Sequence, residues 1–137
     1  MKKIAISLLT LIMLFSLASC FGGGTNEWET VCYSKDTTVG TGAKTAVVEV
    51  VTDGKTVTLT VKTDEEMLGA ALLKEKIIAG EDGDYGLYIK AVNGTVADYD
   101  TDKTYWAFYV DGEYAMSGVD STPIEEGKIY RLAKEKG

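Results

Sequence analysis

Residues 46–62 read Ala46-Val47-Val48-Glu49-Val50-Val51-Thr52-Asp53-Gly54-Lys55-Thr56-Val57-Thr58-Leu59-Thr60-Val61-Lys62, two β-branched runs divided by Asp-Gly. That dipeptide between alternating runs is the strongest short-range signal for a hairpin closed by a type I′ turn. In the second run Val57, Leu59 and Val61 fall on one face and Thr56, Thr58, Thr60 and Lys62 on the other. An apolar sheet face of this kind must be covered, so the next segment is expected to supply the cover.

That segment fits a helix. Thr63 followed three residues later by Glu66 has capping-box spacing, with Asp64 and Glu65 at the positive end of the dipole. Met67, Leu68, Ala71, Leu72 and Ile78 recur at helical spacing, and Gly80 is the expected stop. The reading is a helix of about four turns lying on the hairpin. An acidic, glycine-rich loop is expected over Glu81-Asp82-Gly83-Asp84-Tyr85-Gly86. A second hairpin turns at Asn93-Gly94, from Leu87–Val92 into Thr95–Asp98. A third turns at Asp111-Gly112, from Tyr105–Val110 into Glu113–Met116, and a last strand runs from Lys128 to Ala133. The order predicts an α+β domain, one helix packed on a mainly antiparallel sheet built from hairpins.

On the N-terminal side, Phe21 to about Thr45 is rich in Gly, Thr, Ser and Lys, and Gly22-Gly23-Gly24 reads as a tether. Trp28, Val31 and Tyr33 interrupt its polarity and are expected to dock as a loose edge. Before it, Met1-Lys2-Lys3 and the apolar run from Ile4 to Leu17 have the form of a signal peptide, too short for a stable span. Leu17-Ala18-Ser19-Cys20 resembles the bacterial lipobox. That likeness implies cleavage after residue 19, a diacylglycerol thioether on Cys20, and a mature protein anchored in the cell membrane on its extracytoplasmic face; two acyl chains suffice for stable anchoring. The expected organisation is a signal peptide over 1–19, a lipidated cysteine and tether over 20–45, and the folded domain over 46–137.

Removing Lys2 and Lys3 with the signal takes the net charge from −7 to −9. Such an acidic surface excludes a nucleic-acid partner, which requires clustered Lys and Arg. With Cys20 assigned to lipid, no disulfide framework is expected, and Cys32 reads as a small, partly buried side chain. The sequence contains no histidine, which removes the Ser-His-Asp arrangement and His-ligated zinc. No catalytic motif stands in the remaining sequence, so the protein is read as a non-enzyme. Asp98, Asp100 and Asp102 alternate, and on an extended chain they would face one way, a weak divalent-cation site to which Asp82 or Asp84 could add. No EF-hand loop follows them, since Lys103 and a strand come next.

Tyr105-Trp106-Ala107-Phe108, then Gly112, Gly118-Val119, Gly127-Lys128-Ile129 and Leu132, with the Asn93-Gly94 turn before them, resemble the C-terminal domain of the transcobalamin and intrinsic factor family, of the DUF4430 type. The likeness spans about Ala46 to Ala133. It implies a β-grasp-like fold and one face of a cobalamin site; the helical domain that clamps the other side of the corrin in the animal carriers has no counterpart in these 137 residues. From strand parity alone, Tyr105, Tyr109, Tyr114 and Met116 share one face of the third hairpin, with Ala107 opposite Met116, while Trp106 and Phe108 point to the core. The tyrosines and methionine are the candidate ligand-binding residues, a flat amphipathic platform suited to a planar ligand such as a cobalamin-like molecule. Two other readings stay open: a protein–protein adhesion or assembly module using the same face, and a weak metal-binding module using the aspartates.

Overall fold

The computed structural model describes residues 28–84 and 86–137. The signal peptide, the lipobox with Cys20, and the first part of the tether lie outside the described residues. Twelve elements follow in order: β1 Thr37–Gly40, β2 Lys44–Thr52, β3 Lys55–Thr63, α1 Leu68–Lys74, β4 Ile78–Gly83, β5 Gly86–Val92, β6 Thr95–Val96, α2 Tyr99–Asp102, β7 Thr104–Val110, β8 Glu113–Tyr114, a 3-10 turn Val119–Ser121, and β9 Ile129–Lys136. No helix among the described residues is long and apolar enough to cross a membrane.

The three X-Gly hairpins form where the sequence places them. Asp53-Gly54, Asn93-Gly94 and Asp111-Gly112 all have positive φ at both positions, the conformation a type I′ turn requires. They set β2 against β3, β5 against β6 and β7 against β8, with Thr52 facing Lys55, Val92 facing Thr95 and Val110 facing Glu113.

The larger sheet has the order β1-β3-β2-β9-β7-β8, and a smaller one the order β4-β5-β6. The larger sheet is mixed. β9 enters between the first and third hairpins, parallel to β2 and antiparallel to β7, and β1 lies parallel to β3. The expected mainly antiparallel sheet therefore contains two parallel pairs, because the last strand of the chain fills the centre beside the first hairpin. The parity of β3 holds: Val57, Leu59 and Val61 are buried and join Ala46, Val48 and Val50 of β2, Tyr130 and Leu132 of β9, and Leu68, Ala71 and Leu72 of α1 in one core.

The helix differs from its expected form at both ends. Thr63 stays in β3, paired with Lys44, and its hydroxyl accepts from Glu65 N in a local turn. Tertiary contacts replace the capping box: Leu68 N donates to Thr122 O and Ile124 N to Glu66 O, so a loop from the far end of the chain satisfies the entry to the helix. The helix ends at Lys74, not Gly80. Lys76 takes φ 62°, and Lys76 N and Ile77 N donate back to Leu73 O and Leu72 O, which is a Schellman closure. Ile78 and Gly80 belong to β4, and most of the expected acidic loop is strand. Gly80 sits at a bulge opposite β5, where a Cβ would lie 2.1 Å from Tyr88 O.

The folded part also begins before Ala46. Val31 N donates to Lys76 O at 2.9 Å, and the buried Asn93 side chain both accepts from Tyr33 N at 2.7 Å and donates to Tyr33 O at 2.9 Å. Val31, Tyr33 and Val39 pack against the core, so the docked edge is hydrogen-bonded. Cys32 is disulfide-bonded, which corrects the expectation of a protein without disulfides. The other cysteine of the sequence is Cys20.

Candidate functional site

The third hairpin presents two chemically different faces. On the outer face Tyr105 and Tyr109 project beside β9, opposite Glu135 and Arg131. Glu135 accepts from both hydroxyls, from Tyr105 at 3.4 Å and Tyr109 at 2.7 Å. Hydrogen bonding to this carboxylate, with smaller contributions from burial and from its charge, holds the Tyr109 phenol above its ordinary value. For Tyr105 burial comes first and the Glu135 charge second. Next along the face, Arg131 forms an ion pair of 3.0 Å with Glu49.

Tyr114 meets Tyr109 edge-on, with ring centroids 5.6 Å apart at 81°, as parity requires. The register then stops short of expectation. Ala115 N still donates to Phe108 O, but β8 ends at Tyr114, and Met116, 96% exposed, does not face Ala107, whose partner is Ala133 of β9. Tyr105, Tyr109 and Tyr114 are thus brought together, while Met116 lies on the rim. There, with Tyr114, it borders an open groove of about 490 Å³ that also touches Lys128 and Pro123.

The inner face carries Trp106 and Phe108, both buried, with Phe108 stacked near Tyr130 at 6.4 Å and 14°. They do not close a solid core. Together with Leu87, Tyr88 and Ile89 of β5, Tyr114, and the stretch from Ser117 to Val119, they wall a cleft of about 210 Å³. The Trp106 indole N–H is buried and finds no hydrogen-bond partner among the described residues.

Several contacts hold the cleft's outer wall in place. The buried Tyr130 hydroxyl donates to Pro123 O and accepts from Glu125 N, each at 3.0 Å. Asp120 accepts from Leu87 N at 3.2 Å. Gly69 of α1 lets the 3-10 turn approach so closely that a Cβ there would sit 2.8 Å from Asp120 Cα. Parity alone placed Trp106 and Phe108 inward; the contribution of β5 and of the Gly118-Val119 stretch required the tertiary fold.

The aspartates take a different geometry from the one read in the sequence. Asp98, Asp100 and Asp102 do not lie on an extended chain: Asp98 caps the one-turn helix α2, accepting from Asp100 N and the Thr101 hydroxyl, and Asp102 accepts from the Thr104 amide and hydroxyl. The Thr104 hydroxyl bond is the main reason the Asp102 carboxyl titrates below its ordinary value. Asp82 and Asp84 are exposed on and just after β4. Among the described residues no three acidic or cysteine side chains converge as a metal site.

The fold and the cleft define a class: an α+β domain with a mixed central sheet and an aromatic-walled cleft at one end. Residues 62–129 match the family described as Domain of unknown function (DUF4430). A protein from Ruminococcus gnavus ATCC 29149, provisionally described as metal-binding, superposes with a TM-score of 0.65 at 31% identity, over 69% of this chain and 99% of its own. The chain belongs to the DUF4430 family. Haptocorrin in complex with Cbi superposes with a TM-score of 0.50 at 22% identity, over 68% of this chain and 25% of haptocorrin. The likeness to the transcobalamin and intrinsic factor carriers is thus one of fold, and the chain spans about a quarter of that carrier. No curated protein matches the chain.

Proposed function

We propose that this chain is a small-molecule-binding module, held by a lipid on Cys20 at the extracytoplasmic face of the cell membrane. The observation that carries the binding role is the cleft walled by Trp106, Phe108 and β5, with Tyr114 exposed at its rim. Pockets that combine apolar and aromatic walls with few polar groups are the usual form of ligand sites. The strand order around the centre, β3-β2-β9-β7 with a parallel central pair, supports a β-grasp-like reading of the fold. With no histidine in the sequence, the module acts by binding and not by catalysis.

The fold shared with haptocorrin makes a cobalamin-like molecule the first ligand to test. Cyanocobalamin titrated into the detergent-solubilised chain is expected to quench Trp106 fluorescence in a saturable way. Absence of quenching and of co-elution at high micromolar ligand rejects the cobalamin-like ligand. Tyr105 and Tyr109, already engaged by Glu135, form a second surface on the outer sheet face, suited to a protein partner if the adhesion reading holds.

The lipid on Cys20 can be tested directly. Intact mass and the N-terminal peptide of membrane-extracted protein decide: a diacylglyceryl adduct on Cys20 supports the anchor, and an unmodified Cys20 removes it. The provisional description of the Ruminococcus gnavus relative favours a second reading, weak divalent-metal binding. That reading requires the melting temperature to rise with calcium, since a ligand that binds only the folded state stabilises it by mass action.

A further inference from the structure

We propose that the free edge of β8 is a docking strand, which takes an extended polypeptide segment carrying a basic side chain into the groove bordered by Tyr114 and Met116. The groove shares Tyr114, Ala115 and Ser117 with the cleft, but the proposal needs no small molecule. β8 closes one end of the large sheet, and among the described residues no strand lies beyond it. Its hydrogen bonding fixes which way its main chain points. Glu113 faces Val110 across the two-residue turn, and Ala115 N donates to Phe108 O. Tyr114, facing Tyr109 between these two, is therefore the non-hydrogen-bonded position of the ladder, and its N–H and C=O point away from β7. A main-chain donor and acceptor directed outward from a sheet edge are what β-strand addition uses.

Sheet edges are commonly blunted by a bulge, a lysine or a proline. β4, an edge of the small sheet, has such a bulge at Ala79 and Gly80. The run Glu113-Tyr114-Ala115-Met116 contains neither lysine nor proline, and Tyr114 is 62% and Met116 96% exposed. The groove is walled by this run, by Ser121 to Pro123 and by Lys128. Thr122 O accepts from Leu68 N and Pro123 O from the Tyr130 hydroxyl, so those carbonyls are not available to pair with β8. The charges select the occupant. Asp111 and Glu113 line the groove; Lys128 is shared between Asp111 at 3.9 Å and Glu125 at 3.8 Å, which leaves Glu113 without an ion-pair partner among the described residues. A lysine or arginine on the incoming segment meets Glu113, whereas a second copy of this chain brings a net charge of −7 of its own and is repelled. Met116, flexible and exposed, covers an apolar side chain beside the basic one.

The probe is the capped heptapeptide acetyl-Thr-Lys-Val-Tyr-Val-Lys-Thr-amide, titrated into the full chain labelled with nitrogen-15 and held in nonionic detergent micelles. Saturable binding is expected, together with slower hydrogen exchange at the Tyr114 amide, because that N–H becomes a donor to the peptide. The same peptide with N-methyl groups on its internal amides keeps every side chain and charge but has no internal N–H to give. It is expected to bind about tenfold more weakly, the loss of one strong or two modest net hydrogen bonds. The counterpart with Glu in place of both Lys is expected to bind about two- to fivefold more weakly, and Glu113→Gln to weaken the Lys peptide by a similar factor, the scale of an exposed ion pair. Absence of binding by the Lys peptide at millimolar concentration would overturn the proposal. So would equal binding of the N-methylated or the Glu peptide, or unchanged exchange at the Tyr114 amide. If Tyr114 exchange slows with rising protein concentration in the absence of peptide, a second copy of the chain occupies the edge and the proposal is likewise overturned.

Discussion

The two faces of β7 come from seven consecutive residues and do opposite things. Tyr105 and Tyr109 end in hydroxyls, and the outer face satisfies both with the single carboxylate of Glu135. Trp106 and Phe108 enter the interior, where Phe108 stacks near Tyr130 and the Trp106 N–H has no partner among the described residues. The face that looks like a ligand platform in the sequence has the hydroxyls of Tyr105 and Tyr109 paired within the protein. The face that looks like ordinary core has one donor unpaired and a cleft beside it.

The largest test of this contrast is Trp106→Ala. Truncating a buried tryptophan typically costs about 3–5 kcal/mol, and the lower part of that range is expected, because one side of the ring already borders the cleft. Denaturant unfolding measures it. A loss below about 1 kcal/mol, well under the ordinary cost of such a truncation, would show that Trp106 is a surface residue of the site and not a core residue that borders it.

A smaller effect is expected from Gly69→Ala, which acts on the opposite wall of the cleft. The new Cβ would press on the backbone of Asp120 and Val119, an overpacking cost of about 1–3 kcal/mol, against which alanine recovers roughly 1 kcal/mol of helix propensity. The net expectation is a modest destabilisation together with displacement of the 3-10 turn. The indole signal of Trp106 is expected to move while that of Trp28 does not. If stability rises and neither signal moves, the turn is not held against α1 in the way described.

How much of this was legible in the sequence follows the range of the interactions. The turns at Asp53-Gly54, Asn93-Gly94 and Asp111-Gly112 are local chemistry, and each hairpin stands where its dipeptide predicts. The parity of β7 was equally readable, since Trp106 and Phe108 are buried and Tyr105 and Tyr109 are not. What failed depended on distant partners. Thr63 and Glu66 have the spacing of a cap, yet Lys44 keeps Thr63 in a strand and Thr122 takes over the entry to the helix. β1, with the sequence Thr37-Thr38-Val39-Gly40, is too polar and short to stand out from a tether, and its strand character comes from parallel pairing with β3. Met116 left the tyrosine face because β8 ends two residues earlier than the alternation suggested. The cleft was invisible for the same reason, since β5, β7 and the Gly118-Val119 stretch meet only after β9 has set β7 into the large sheet.

The smallest expected effect lies on the outer face and is read by pH. Tyr109 and Tyr105 are both held above the ordinary phenol value of 10.0, chiefly by the hydrogen bond to Glu135 for Tyr109 and by burial for Tyr105. In the unfolded chain these phenols release their protons at the ordinary value, so between that value and the higher folded one the unfolded state binds fewer protons. Stability therefore falls with rising pH across that window; the contribution is complete below pH 10.0 and lost as pH climbs through the folded values. Glu135→Gln removes the carboxylate charge and is expected to bring both tyrosines closer to their ordinary value, Tyr109 more than Tyr105, because burial, which dominates at Tyr105, is unchanged. Tyrosinate absorbance against pH, compared with Tyr109→Phe to assign the steps, measures the shift. If Glu135→Gln leaves the Tyr109 step where it was, the carboxylate does not hold that hydroxyl in solution. The outer face would then have free hydroxyls to offer a ligand or a protein partner, and the contrast between the two faces of β7 would disappear.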